Sequence, residues 1–523
     1  MTTNCLSPKK LHALVISPPI RDFYFTPHRF CAAGPKIVSN LLKKKGLHVT
    51  EFNFPSMQKK GFTIPFPEEL SYLKPFIIEN ETGKTSFFRT YKQFGPPLKH
   101  CTDMICEKNP DLCFISVFAF CYASTALELA KSIKKRNKNL PVIFGGAGVS
   151  TYPQFFLKSE DVDFTLSGEA EVNICELIDY LILPEICPEK IPGLGWKIEG
   201  NCHFSHITRI TTSDEILCPA IKTGETRGSV TFSISLSRGC PQNCKFCSNW
   251  ICHGKKFRRC SQNQINSIVE QIREVNIPEE KTIHLNFEDD NLLFDYKFWI
   301  GTVKYLRSQF KNISFTAENG IDYRLLNNSN CKELITLGFT QFNLSLGSVS
   351  DVINSNESRS SDLNHYCSVI KTISDFNIPV ITYFICGFKE DTPESVAGNL
   401  AFLSDKKTLT GISLFYPVPG ISGYEDKTIF DQQSTVLCCG SSAFPWNNSL
   451  GTKSLVTAFR LSRVINLSKA QPVDSRDKQL LYKTFCDRKL FTLQKSGGET
   501  RIIEVPDQDY ELVRLYFKLC ENS

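Results

Sequence analysis

Cys240, Cys244 and Cys247 are the residues of this 523-residue chain whose type and spacing could do chemistry: three thiols within eight positions. They sit in the stretch Ser-Arg-Gly-Cys-Pro-Gln-Asn-Cys-Lys-Phe-Cys from Ser237 to Cys247, directly after the strand-like run 231–236. Pro241 and polar residues separate them, which predicts a loop, and a loop can wrap its thiols around one object. Thiolate is a soft ligand that suits zinc or iron–sulfur clusters. A closed zinc site takes four ligands, and Cys252 or Cys260 could complete one. A 4Fe-4S cluster held by three thiolates instead leaves one iron open to a ligand that is not protein.

That spacing, with Phe246 immediately before the third cysteine, resembles the Cys-x-x-x-Cys-x-aromatic-Cys signature of the radical S-adenosylmethionine superfamily, over about residues 228–423. The resemblance implies that the open iron chelates the amino and carboxylate groups of S-adenosylmethionine. It also implies that an electron from the cluster, fed by an external flavodoxin- or ferredoxin-type donor, cleaves the carbon–sulfur bond to give methionine and a 5'-deoxyadenosyl radical. Other segments match by position. Glu288 and Asp289 would lie near the methionyl amine, and Glu318 and Asn319 near the ribose. Ser345 would make a further ribose contact, although the glutamate of the family's Gly-x-Glu-Ser pattern is missing. Ile385, Gly387 and Glu390 match the adenine segment, and Pro417 the end of the sixth strand.

Two series of elements must position these residues. Apolar runs of strand length at 11–17, 47–54, 112–118, 141–144 and 164–166 alternate with helical patterns at 36–45, 124–136 and 170–182, which predicts a doubly wound, Rossmann-like parallel sheet. Ligands of such sheets sit beyond the carboxyl ends of the strands, here the segments 18–34, 116–122, 145–152 and 168–171. A dinucleotide fingerprint is missing, because the first strand ends in Ser-Pro-Pro. From 228 a second series, with strands at 231–236, 282–287, 313–317, 341–346, 380–385 and 411–415, predicts a partial (β/α)6 TIM-type barrel with chemistry at its carboxyl-terminal rim. The reading is an α/β chain divided into 1–190, a hairpin-bearing linker 191–227, a barrel 228–424, and a small α+β extension 425–523.

The first domain in turn resembles the cobalamin-binding domain that precedes many radical S-adenosylmethionine barrels. Ser116 and Phe118, the latter where the family has Leu, precede Gly145 and Gly146 by the family's interval; Gly148 follows, and Gly168-Glu169-Ala170-Glu171 matches the Gly-Glu-x-Glu end of the domain. The Asp-x-His-x-x-Gly loop is absent, and His12, His28 and His48 read as structural or solvated. The resemblance implies two cofactor sites facing one substrate, with cobalamin supplying a methyl group to an unactivated carbon of a small molecule or peptide. Rearrangement or cyclisation on the same scaffold is the nearest alternative, and a non-catalytic iron–sulfur or zinc scaffold the rival. A methylthiotransferase is disfavoured because the amino-terminal cysteines are scattered.

Composition sets the remaining bounds. Hydrophobic content of 41% and charge of 22% are ordinary for a globular protein. The net charge of +6 is spread along the chain, without the concentrated basic face that nucleic acid binding needs. The longest apolar run falls short of the roughly 20 residues that span a bilayer. Twenty-two cysteines without a secretory segment predict a reducing, cytoplasmic setting, in which most thiols are packing residues.

Overall fold

A computed structural model describes residues 11–26, 30–183, 185–447, 449–470 and 473–521, so His28 lies outside the described residues. The first sheet is built from β1 (His12–Ser17), β2 (His48–Asn53), β3 (Leu112–Ser116), β4 (Val142–Gly145), β5 (Phe164–Leu166), β6 (Leu194–Ile198) and β7 (Asn201–Phe204). Its order is β7-β6-β5-β4-β3-β1-β2, and β1 to β5 are parallel. Continuous apolar strands suit it because both faces are covered. Leu14, Ile16, Cys113, Ile115, Val142 and Phe144 join one core, and Ala13, Val15, Leu112, Phe114 and Ile143 the other. The chain changes direction between β1 and β3, where a doubly wound sheet opens a ligand crevice.

The hairpin read as part of the linker belongs to this sheet: β6 and β7 extend it antiparallel beyond β5. The barrel then comprises β8 (Ile221–Glu225), β9 (Ser229–Ile234), β10 (Thr282–Phe287), β11 (Ile313–Thr316), β12 (Phe342–Gly347), β13 (Val380–Cys386) and β14 (Leu409–Leu414). β8 is an antiparallel edge strand on β9, and the six that follow are the expected ones. They form two hydrogen-bonded pieces, β8 to β11 and β12 to β14, linked through the isolated bridges Phe315–Phe339 and Ile321–Leu344. The fold is α/β, a Rossmann-like sheet followed by a partial barrel.

The carboxyl-terminal extension shares the barrel's core. Leu455, Val456, Leu461 and Val464 of the helix Thr452–Lys469, and Leu512, Val513 and Tyr516 of the helix Tyr510–Glu521, are buried with the barrel residues. Its hairpin, β15 (Phe491–Ser496) and β16 (Glu499–Glu504), pairs with the two-residue strand Glu81–Thr82 of the segment between β2 and β3. A buried ion pair fixes that junction. Arg460 meets both oxygens of Glu81, Thr492 Oγ1 donates to the same carboxylate at 2.7 Å, and Arg460 Nη2 donates to the Phe76 carbonyl at 3.2 Å. Among the described residues no helix is long and apolar enough to cross a membrane.

With Arg460 and Glu81 almost wholly out of solvent, removing one partner strands the other's charge. Arg460→Ala is expected to lower the unfolding free energy by about 3–5 kcal/mol, read by chemical denaturation.

Candidate functional site

The loop that carries the three cysteines is closed at its base. Ser237–Arg238 pairs antiparallel with Arg258–Arg259, so residues 239–257 form one excursion from the end of β9. Gly239 has φ +81°, and a Cβ there would lie 2.3 Å from the Lys256 carbonyl oxygen, so only glycine fits. The acidic segment after β10 holds the excursion from beneath. Asp290 accepts hydrogen bonds from Gly239 N at 2.7 Å, His253 Nδ1 at 2.8 Å and Asn249 Nδ2 at 3.1 Å. Asp289 accepts from Leu236 N at 3.1 Å and from Ser237 Oγ. Burial raises the Asp289 carboxyl to about 7. Asp289 thus faces the loop's base, while Glu288 turns the other way, into the cavity described below, where it accepts from Ser233 Oγ at 3.1 Å and Asn286 Nδ2 at 2.6 Å.

Cys240, Cys244 and Cys247 are all partly buried, and two have a side-chain donor at the sulfur: Asn291 Nδ2 stands 3.5 Å from Cys240 and Arg359 Nη1 4.0 Å from Cys244. Burial pushes the Cys240 thiol up and that of Cys247 up to about 11. Metal coordination would take the place of those protons. The donor set fits a multi-iron cluster. Three thiols on one loop supply the soft donors that such a cluster takes. The two cysteines that could have completed a zinc site are engaged elsewhere. Cys260 is buried against the thiol of Cys218, and Cys252 donates to the Gly168 carbonyl at 3.6 Å.

A cluster of ion pairs ties this loop to the first domain. The buried carboxylate of Glu169 receives both Nη atoms of Arg258 at 2.8 Å and Ile210 N at 2.9 Å, with Arg238 at 3.8 Å. Glu171 takes Arg238 Nη2 at 2.7 Å. Burial works to raise the Glu169 carboxyl, yet the hydrogen bonds of Arg258 and the nearby Arg238 hold it below the usual carboxylate range. The two glutamates of Gly-Glu-x-Glu are therefore an anchor for the two arginines at the base of the cysteine loop.

Between the two domains lies one cavity of about 630 Å³. The sheet contributes Ser116, Phe118, Gly145, Gly146, Gly168 and Glu169 to its wall; the barrel contributes Ser233, Glu288, Glu318 and Asn319; Cys252 and His253 of the cysteine excursion complete it. Ser116 and Gly145 are register partners on β3 and β4. Gly146, at φ +103°, lies so close that a Cβ would stand 2.7 Å from the Val117 carbonyl and 3.2 Å from Ser116 Oγ. Gly148 lies behind the wall, where a Cβ would come within 2.7 Å of the Ala119 backbone. Phe118 is 52% exposed, edge-on to Phe30 at 5.3 Å. His253 sits between Cys252 and Asp290. Burial alone would push its imidazole down, but the Cys252 sulfur and the Asp290 carboxylate raise it to about 10.

The remaining predicted residues lie outside that cavity's lining, on the far strands of the barrel. The Ser345 carbonyl accepts Arg359 Nη2 at 2.6 Å, so Arg359 bridges the fourth barrel strand and Cys244. Gly387, at φ +106°, and Phe388 both donate to Asp391, at 2.8 and 3.0 Å. Phe246 packs against Phe388 with ring centroids 5.5 Å apart, which joins the cysteine loop to this turn. Ile385 and Glu390 are half-buried, Pro417 is buried, and Glu390 Oε2 has no hydrogen-bond partner among the described residues. Sequence reasoning missed Arg238, Arg258, His253 and Arg359, because their partners stand far along the chain and leave no local pattern.

Residues 234–403 match the family model described as the radical SAM superfamily. The chain carries a radical SAM domain. That family uses a 4Fe-4S cluster and S-adenosylmethionine, in keeping with the donor set of the cysteine loop. Around this domain the chain is 25% identical over 286 residues, 53% of its length, to an uncharacterized methyltransferase of Pyrococcus horikoshii. It is 27% identical over 200 residues, 37% of its length, to the bacteriochlorophyllide d C-12(1)-methyltransferase of Chlorobaculum tepidum. It spans 60% of the first protein and 42% of the second. In fold it is similar to the radical S-adenosylmethionine methyltransferase TsrM from Kitasatospora setae, a structure with cobalamin and a 4Fe-4S cluster bound. The TM-score is 0.56 at 14% identity, over 79% of this chain and 73% of that one.

The His253 environment sets a pH signature. A folded-state pKa of about 10, against an ordinary 6.5, contributes stability that is complete below pH 6.5 and fades as pH rises toward 10. Compared with the parent by chemical unfolding, His253→Gln should show its full deficit below pH 6.5 and a shrinking one above.

Proposed function

We propose that this chain is a cobalamin-dependent radical S-adenosylmethionine enzyme, cytoplasmic, that methylates an unactivated carbon of a small-molecule or peptide substrate. The observation that carries the reading is the single cavity whose wall joins the strand ends of the sheet to Ser233, Glu288, Glu318 and Asn319 of the barrel. Two cofactor sites that open into one space can act on one substrate. The methyltransferase names of the relatives support the choice of reaction.

When bound, the cluster and S-adenosylmethionine supply a 5'-deoxyadenosyl radical, and cobalamin supplies a methyl group. The chain's own share is to bind, orient and exclude. Cys240, Cys244 and Cys247 would hold the cluster, with Asn291 and Arg359 donating toward two of the sulfurs. Glu288, Glu318, Asn319 and Ser345 would orient S-adenosylmethionine along the barrel rim, and Gly387, Ile385, Glu390 and Pro417 would bound its adenine. Ser116, Gly145, Gly146 and Gly168 leave backbone bare at adjacent strand ends, as a nucleotide tail requires. The Asp-x-His-x-x-Gly loop is absent from the sequence, so cobalamin would sit there without the imidazole that loop supplies. An external one-electron donor of flavodoxin or ferredoxin type would reduce the cluster.

Anaerobic reconstitution with iron and sulfide, followed by an assay for 5'-deoxyadenosine after dithionite reduction, tests the radical chemistry. The parent is expected to form it, and Cys244→Ala to lose both the iron–sulfur absorbance and the product; a parent that retains zinc and forms none overturns the reading. Protein from a cobalamin-replete host is expected to keep a corrinoid spectrum after cluster removal. Gly146→Val, which places a side chain between Val117 O and Ser116 Oγ, should abolish that spectrum and spare the cluster. A colourless parent would count against cobalamin.

A further inference from the structure

From Thr226 to Val269 the chain has no acidic residue and seven Lys or Arg. Two of these, Arg238 and Arg258, are consumed by Glu169 and Glu171, and Arg259 pairs with Asp295 at 2.8 Å. Of the other four, Arg227, Lys245, Lys255 and Lys256, the adjacent pair Lys255 and Lys256 stands at the end of the cysteine excursion: both are exposed, and among the described residues neither has an ion-pair partner. Beside them stand two exposed aromatics. Trp250, 39% exposed, lies with Lys255 Nζ 5.6 Å from its ring, and Phe294, 46% exposed, packs on Phe257 at 5.1 Å. The carboxylates that this excursion meets, Asp290 and Asp295, are already paired, with His253 and Arg259.

This patch covers the outside of the cysteine loop. The Lys256 carbonyl abuts Gly239, the residue before Cys240, and the helix Asn249–His253 begins two residues after Cys247. That short helix has two sides: Cys252 and His253 line the cavity, whereas Asn249 and Trp250 are exposed. A protein seated on Trp250 and the lysines would therefore reach the cysteine loop without blocking the cavity. Electron transfer weakens steeply with distance, so a carrier must dock close to the cluster, and such encounters use small interfaces, under about 1,200 Å². Unpaired lysines steer an acidic partner and raise its association rate, and a partly exposed Trp is a frequent binding anchor.

We propose that the face formed by Trp250, Lys255, Lys256 and Phe294 is the docking surface for an acidic one-electron carrier protein that reduces the cluster. The inference rests on the radical reading above. In the step, one electron leaves the reduced carrier and enters the cluster, lowering it from the 2+ to the 1+ state, and the carrier departs oxidised by one electron.

The test uses full-length reconstituted protein and two reductants: reduced flavodoxin, an acidic protein, and reduced methyl viologen, a small cation that needs no basic surface. The rate of 5'-deoxyadenosine formation, and separately the affinity for oxidised flavodoxin by titration calorimetry, expected to weaken in both variants, are read for the parent, for Lys255→Glu/Lys256→Glu and for Trp250→Ala. Charge reversal is expected to cut the flavodoxin-driven rate about tenfold at low ionic strength, with the deficit closing as salt is added, and to leave the viologen-driven rate unchanged. Trp250→Ala should lower the flavodoxin-driven rate at every salt concentration. Equal loss in both arms, or no loss in either, overturns the docking surface. A parent inactive even with methyl viologen overturns the proposed function and the docking surface with it.

Discussion

The buried meeting of Glu169 with Arg258 and Arg238 is the constraint on which the rest of the site depends. Both arginines belong to the two-stranded base of the cysteine loop, and the glutamate belongs to the end of the first sheet. The loop's position relative to the sheet is thus fixed by charges that have nowhere else to go. An ionised pair out of water is held by its geometry, because separation would leave each ion without solvent. Ile210 N, on the segment leading from β7 toward the barrel, donates to the same carboxylate and draws the connection into the clasp. The cavity between sheet and barrel is what this clasp leaves open.

Around the thiols, a second rule operates. The acidic residues after β10 spend their hydrogen bonds on the loop's frame: Asp290 on Gly239, Asn249 and His253, and Asp289 on Leu236 and Ser237. The groups that do point at sulfur, Asn291 and Arg359, are donors. Hydrogen bonds to cluster sulfurs are among a protein's main controls on reduction potential. The segment after β10 therefore serves the loop as scaffold through Asp289 and Asp290, and serves the cavity through Glu288.

Local chemistry was legible in the sequence and remote pairing was not. The strands of both series read correctly because burial on both faces makes each a short continuous apolar run. The three cysteines and Phe246 could be singled out because a ligand loop must bring its residues close in sequence, and they share one excursion closed by the pairing of Ser237–Arg238 with Arg258–Arg259. The hairpin at 194–204 carried the signature of two short strands but no sign of which sheet they would join, since only its pairing with Phe164–Leu166 decides that. Glu169 was legible as part of a motif, yet its partners lie 69 and 89 positions away, with no periodicity to reveal them. The strand Glu81–Thr82 has two residues, too few to show alternation.

That two-residue strand has a consequence for how the chain is made. Glu81 finds its partner in Arg460, 379 positions later, so the segment between β2 and β3 cannot settle until nearly the whole polypeptide has left the ribosome. At about 5–20 residues per second that is a wait on the order of tens of seconds. The cysteine loop emerges midway through it, before the helix Thr452–Lys469 that covers the last barrel strand exists. During translation, therefore, the three thiols emerge into a barrel whose covering helix has still to be made.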